Sequence, residues 1–186
     1  MRQLNPTLWR TCRVLSGSTR IQLLRQLHDV PGQSVSDLAK AIGIGVSDAS
    51  QELRRLQSRG LLQAERKGAF LIYRLGADPQ VPAAAPLLKA LKTALETRPV
   101  DQDAAMLPIA AGLAHVRRIA IVKALAKSDL APLALRTTLH IPQCPMSHHL
   151  KTLKAGGWVQ GNKNRLALCP PAHPLARALA LLVQAD

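Results

Sequence analysis

The sequence predicts a mainly α-helical protein with small β-hairpins, organised as one unit written twice. Three observations carry this. Apolar residues recur at helical spacing through most of the chain. Each half ends its short helices with two β-rich runs separated by turn-forming residues. The two halves also align without a gap: residues 38–44 fall on 135–141, and 49–56 on 146–153, at a single offset of 97. Gly60-Leu61-Leu62 then falls on Gly157-Trp158-Val159. Upstream, a shift of one residue sets Leu15, Arg20, Ile21 and Leu27 on Leu113, Arg118, Ile119 and Leu125. A tandem duplication is the reading that follows, with residues 1–98 as the first repeat and 99–186 as the second.

In the first repeat, Ile21, Leu23, Leu24 and Leu27 form the apolar stripe of a helix that Asp29-Val30-Pro31-Gly32-Gln33 interrupts. Ser36 is the expected N-cap of a short helix running through Ile42, which Gly43 stops. Val46-Ser47-Asp48 opens a second short helix that reaches about Ser58, with Gly60 just beyond its end. The β-rich runs 61–65 and 70–75 follow, joined by Arg66-Lys67-Gly68. Proline-rich 79–82 precedes a closing helix over 83–96, and 97–101 reads as the linker between repeats.

The second repeat has the same order. Residues 104–113 open it, with Pro108 expected to kink the helix. Ile119, Val122 and Leu125 mark the next helix, and 130–139 and 145–155 the short pair. Pro145 suits a first helical turn, where its missing N–H has no intrahelical partner. The runs 158–160 and 165–168 flank the turn 161–164, and 172–183 closes the chain after Pro170-Pro171.

Charge narrows the function. The chain has 25 Lys and Arg against 11 Asp and Glu, a formal net charge of +14. Its two repeats carry +8 and +6, so the charge is no basic tail. A field of that sign draws polyanions, nucleic acid before an anionic membrane surface. The apolar stretch 104–114 falls short of the roughly 20 residues a bilayer span needs, so no membrane partner is expected. Residues 1–13 have no apolar signal segment, and three widely spaced cysteines, Cys12, Cys144 and Cys169, imply no disulfide framework. A reducing, cytoplasmic setting is expected. Trp9, Phe70, Tyr73 and Trp158 are too few aromatics for the stacking platforms that hold single strands.

Helix, tight turn, helix, hairpin is the plan of a winged helix-turn-helix. Its second short helix is thin enough to enter a major groove about 12 Å wide, and its hairpin carries basic residues to the flanking phosphates. Leu38-Ala39, Ile42, Ile44, Ser50 and Leu53, with Leu135, Leu139, Ile141, Ser147, His149 and Leu150, resemble the ArsR-type transcriptional repressors. The segment from Ser147 to Leu153 with Gly157-Trp158-Val159 is the closest local match, and Glu65-Arg66-Lys67-Gly68 with Tyr73-Arg74-Leu75 is similar to that family's wing. The resemblance implies a sequence-specific repressor that binds double-stranded DNA, usually as a homodimer. Two units in one chain depart from that plan. They suggest two tandem winged helix-turn-helix domains forming an intramolecular pseudo-dimer, its terminal helices packed together, acting on a loosely palindromic operator as a monomer or, as a second option, a homodimer. Neither reading region has the cysteine-rich sensor motif of metal-responsive members.

A helical wheel sorts the reading helices. Ala49, Leu53 and Leu56 form the buried edge of the first; Ser50, Gln51, Arg54 and Arg55 face outward, with Ser47 at its start. Met146, Leu150 and Leu153 form the buried edge of the second; Ser147, His148 and Lys151 face outward, with Thr152 and Lys154 at the margins. Gln pairs with adenine and Arg with guanine in bidentate fashion, whereas Ser and Lys more often hold phosphates. The wings add Arg66, Lys67 and Lys163 for backbone or minor-groove contact. Glu52 flanks the first reading helix, where its charge would repel phosphate. Arg20 and Arg118, at equivalent positions, either reach phosphate or cap their own helices.

No enzyme chemistry stands out. Gly43-Ile44-Gly45 follows a helix and has Asp48 where a third glycine belongs, so it is no dinucleotide fingerprint. His148 and His149 diverge by about 100° on a helix and cannot chelate one ion by themselves. Cys144 with His140 or His148 is the one conceivable metal or redox set, though an inert Cys144 just ahead of the reading helix is the plainer reading. His115, His140 and His173 have no partner nameable from sequence. No catalytic residue, cofactor or metal is assigned. The competing functions are a tandem winged-helix scaffold binding protein partners in chromosome organisation, and a dimerisation module of an enzyme. The basic charge weighs against the first, and the length leaves no catalytic domain for the second.

Overall fold

The structure, a computed structural model, describes residues 7–185, so the signal-segment reading of Met1 to Pro6 and the final Asp186 lie outside the described residues. Contacts divide the chain into two units, the first comprising 17–104, the second 8–16 together with 105 onward. Both are mainly helical, and each carries a small antiparallel sheet.

The first unit opens with α2 (Ser18–Asp29), whose Ile21, Leu23, Leu24 and Leu27 are buried as their spacing requires. Next come β1 (Gln33–Ser34), α3 (Val35–Ile42) and α4 (Val46–Gln57). Ser34, not Ser36, caps α3. Its Oγ accepts the Asp37 N–H at 3.2 Å while Asp37 Oδ2 accepts the Ser34 N–H at 3.3 Å. This reciprocal box needs the serine three positions before an acidic residue, a spacing Ser36 lacks. The hydrogen bonds to Ser34 hold the Asp37 carboxyl below its ordinary pKa. Gly43 ends α3 in the left-handed region at φ 72°, where a side chain costs about 1–2 kcal/mol.

Strands β2 (Leu62–Lys67) and β3 (Phe70–Leu75) pair from Leu62 opposite Leu75 to Lys67 opposite Phe70, and β1 joins β3 at the other edge. The turn is therefore Gly68-Ala69, and Arg66 and Lys67 belong to the strand rather than to the turn. Tyr73 and Leu61 seal the sheet against the core. Helix α5 (Ala84–Thr97) follows, then a 3-10 helix, Val100–Ala105. The expected linker 97–101 is clamped: Arg25 Nε and Nη2 donate to Asp103 Oδ2 and Oδ1 at 2.8 and 2.6 Å, and Nη1 donates to the Leu95 carbonyl at 2.7 Å.

The second unit takes α1 (Leu8–Leu15), which packs on α6 (Met106–Leu113) through its buried Cys12 and Leu15. Pro108 is the third residue of α6, a position whose N–H lacks a partner at a helix start, so the expected kink is not required. Then follow α7 (Val116–Leu125), α8 (Pro132–Leu139), α9 (Gln143–Ala155), β4 (Val159–Gly161), β5 (Leu166–Leu168) and α10 (Pro174–Ala185). Helix α9 starts two residues before Pro145 and takes in Cys144. Leu130 is not helical: its N–H and carbonyl exchange bonds of 3.1 and 2.9 Å with Leu166.

Trp158 anchors this unit. It is fully buried, and its Nε1 donates to the Ile109 carbonyl at 2.8 Å. Gly112 makes room for the ring, since a Cβ there would stand 2.3 Å from Trp158 Cδ1. Several features recur at the offset of 97. Gly60 and Gly157 have φ 71° and 72°, and His140 (φ 50°) takes the left-handed position that Gly43 holds in the first unit. Leu130 bridges β5 where Gln33 pairs with β3.

Candidate nucleic-acid interface

Helix α4 has two distinct edges. Ala49, Leu53 and Leu56 are completely buried, while Ser47, Gln51, Arg54 and Arg55 are exposed and Ser50 is half-buried. Glu52 does not project toward solvent as the wheel suggested. Its side chain is 15% exposed and pairs with both Arg20 and Arg55. The carboxylate is thus offset on two sides. Arg20 is occupied inside the unit rather than aimed at phosphate.

Helix α9 exposes Ser147, His148, Lys151 and Lys154 and buries Met146 and Leu153. The wheel put Leu150 on the buried edge, but it is only half-buried; His149, which the wheel did not place, is buried at 6% exposure. His149 faces His115, with ring centroids 4.7 Å apart. Its two nitrogens have no hydrogen-bond partner among the described residues. Burial, then the charges of His115, Arg118 and Arg117, pushes its pKa down to about 4. Lys154 is tied to the hairpin, its Nζ donating to the Gly161 carbonyl at 2.8 Å.

The wing residues Arg66, Lys67 and Lys163 are all exposed. In the second hairpin Asn162 Oδ1 organises the turn by accepting from the N–H groups of Asn164 and Arg165, at 2.8 and 3.2 Å. Arg165 is committed to Asp129 at 2.6 Å. Arg118 donates to the carbonyls of Gly112 and Ala111, both at 2.9 Å, and so caps the end of α6.

Three histidines without a sequence signal have structural work. His115 caps α7, its Nδ1 accepting the Arg117 N–H at 3.1 Å; His173 accepts the Leu175 N–H at 3.1 Å; His140 terminates α8. No cluster of three or more His, Cys, Asp or Glu side chains able to hold a metal occurs among the described residues. Cys12 is buried and its thiol pushed up to about 12 by desolvation, whereas Cys144 is exposed. No single helix among the described residues is long and apolar enough to cross a membrane.

Residues 15–69 match the model of the MarR family. That segment runs from the end of α1 through α4 to the turn of the first hairpin. Among curated proteins, the chain is 38% identical over 65 residues to the HTH-type transcriptional regulator NmtR of Mycobacterium tuberculosis, covering 35% of this chain and 53% of that protein. It is 30% identical over 61 residues to the HTH-type transcriptional regulator YgaV of Escherichia coli, covering 33% of this chain and 62% of that protein. The chain spans about half the length of the first of these relatives and under two thirds of the second. No solved structure matches.

Proposed function

We propose that this protein is a sequence-specific double-stranded DNA-binding transcriptional regulator, acting as a repressor in the manner of the ArsR type. In this reading α4 and α9 enter the major groove and the hairpins lie along the backbone. The observation that carries it is the split of α4. Gln51 and Arg54, which can hydrogen-bond base edges, are exposed opposite three completely buried apolar residues, and Arg66 and Lys67 stand exposed on the hairpin that follows. The match of residues 15–69 to the MarR family supports the same assignment. Pairing of Glu52 with Arg20 and Arg55 removes the electrostatic objection to α4 as a reading helix.

The same proposal treats the chain as a duplicated winged helix that supplies both half-site readers itself. Matching left-handed positions at Gly43 and His140, and at Gly60 and Gly157, support a common origin of the two halves. So does Leu130, which repeats the pairing of Gln33.

Gel-shift measurements on genomic fragments at low salt test the function. Retention with an affinity that falls steeply as salt rises is expected, each neutralised phosphate adding about −0.9 to the log–log slope. Absence of retention across such a library refutes the reading.

A further inference from the structure

Phe70, the only phenylalanine in the chain, is 62% exposed at the very tip of the first hairpin. An aromatic ring so placed adds nothing to the core. The pairing register shows its surroundings: Lys67 stands directly opposite Phe70, and Arg66 directly opposite Leu71, which is itself 39% exposed. Each face of the tip therefore joins one apolar side chain to one cation. The acidic residue nearby, Glu65, is held by Arg74 at 2.7 Å, so the tip keeps its positive charge. Beyond Phe70 the turn is open, for a Cβ on Gly68 would meet nothing within 4 Å.

We infer that this hairpin tip is a minor-groove wedge, with Phe70 the side chain that enters a base step and Lys67 and Arg66 its phosphate clamps. The inference rests on the DNA-binding reading of α4 and names what the adjoining hairpin does there. Apolar side chains of this kind unstack base steps and bend the duplex, whereas cations alone only hold the backbone. The reach is right. β2 begins five residues after the end of α4 and runs for six residues, about 20 Å at 3.3 Å per residue, comparable with the roughly 17 Å half-turn that separates a major-groove reader from the next minor groove. The charge selects a polyanion over an apolar protein surface, since a cation stands on each face of the tip, Lys67 beside the ring and Arg66 on the other face, and the chain carries +14. The second hairpin has no counterpart: Gly161-Asn162-Lys163-Asn164-Arg165 has no apolar residue, so only the first unit wedges.

The test uses the full chain and a short A·T-rich duplex with 2-aminopurine in place of single adenines, plus dye pairs at the duplex ends. Binding of the unaltered protein should raise 2-aminopurine emission several-fold at one step and shorten the end-to-end distance, as a bend of about 20–90° requires. Phe70→Ala should lose both signals and bind roughly tenfold more weakly, with the slope of affinity against salt unchanged because Lys67 and Arg66 remain. Phe70→Leu should keep most of the bend. If the unaltered protein is retained in gel shifts without unstacking or bending, or if Phe70→Ala bends DNA as well as the parent, the wedge is wrong while the DNA-binding reading survives. If no duplex is retained at all, the parent reading fails and the wedge with it. Self-association in sedimentation that Phe70→Ala abolishes would assign the tip to a second copy of the chain and overturn the proposal.

Discussion

The ring of His149, buried on the inner edge of α9, lies 4.7 Å from that of His115, which caps α7 of the same unit through its own Nδ1. At the equivalent position of the first unit stands Glu52, paired with Arg20. One site thus holds a compensated charge and the other an imidazole surrounded by cations.

The second unit should therefore be acid-sensitive. The folded state holds His149 near a pKa of about 4, against about 6.5 in an unfolded chain. As pH falls, the unfolded chain takes up the proton first. Stability is complete above about pH 6.5 and is lost progressively down to about pH 4, by on the order of 3 kcal/mol. Both tryptophans, Trp9 and Trp158, belong to this unit, so urea midpoints followed by their fluorescence report it. His149→Leu should flatten the profile; an unchanged profile would show that another group titrates.

Glu52→Gln should destabilise the first unit by about 2 kcal/mol, since it leaves the largely buried Arg20 guanidinium without its carboxylate. Arg55→Ala removes only the exposed partner, 53% accessible, and should cost no more than about 0.5 kcal/mol. Equal costs, read from denaturation by circular dichroism, would show that Arg20 draws nothing from the pair.

Gly43 and Gly60 share a left-handed backbone but not a neighbourhood. Alanine at Gly43 meets nothing within 4 Å, whereas at Gly60 its Cβ would stand 2.9 Å from that of Val81. Gly43→Ala should cost about 1–2 kcal/mol of backbone strain, and Gly60→Ala roughly 1–3 kcal/mol more from overpacking. Melting curves that fail to separate the two would contradict this packing.

On DNA, Gln51→Ala and Arg54→Ala should relax sequence preference, each by about 1–3 kcal/mol of discrimination. Lys67→Ala should instead weaken all sequences alike and lower the salt slope by about 1. Competition between specific and random duplexes distinguishes the classes, and identical behaviour would collapse the distinction.

An internal pseudo-dimer should sediment as a 20.1 kDa monomer at micromolar concentration. A tight dimer there would remove the reason for pairing two readers within one chain.

The sequence by itself determined most of the helices, both hairpins and the outward edge of α4, because each is written in local spacing; α1 and the short β1 it did not reveal. Leucines at 53 and 56 bury one side of a rod whatever surrounds it, and Gly43 and Gly60 end helices through their own backbone freedom. Local spacing was ambiguous where two candidates competed, as with Ser34 and Ser36. There the carboxylate of Asp37 decided. Only the tertiary structure could decide the rest. Burial of His149, the neutralisation of Glu52 by an arginine 32 positions away and the seating of Trp158 on Gly112 all depend on which helix arrives opposite, and residues far apart in the chain settle that through packing.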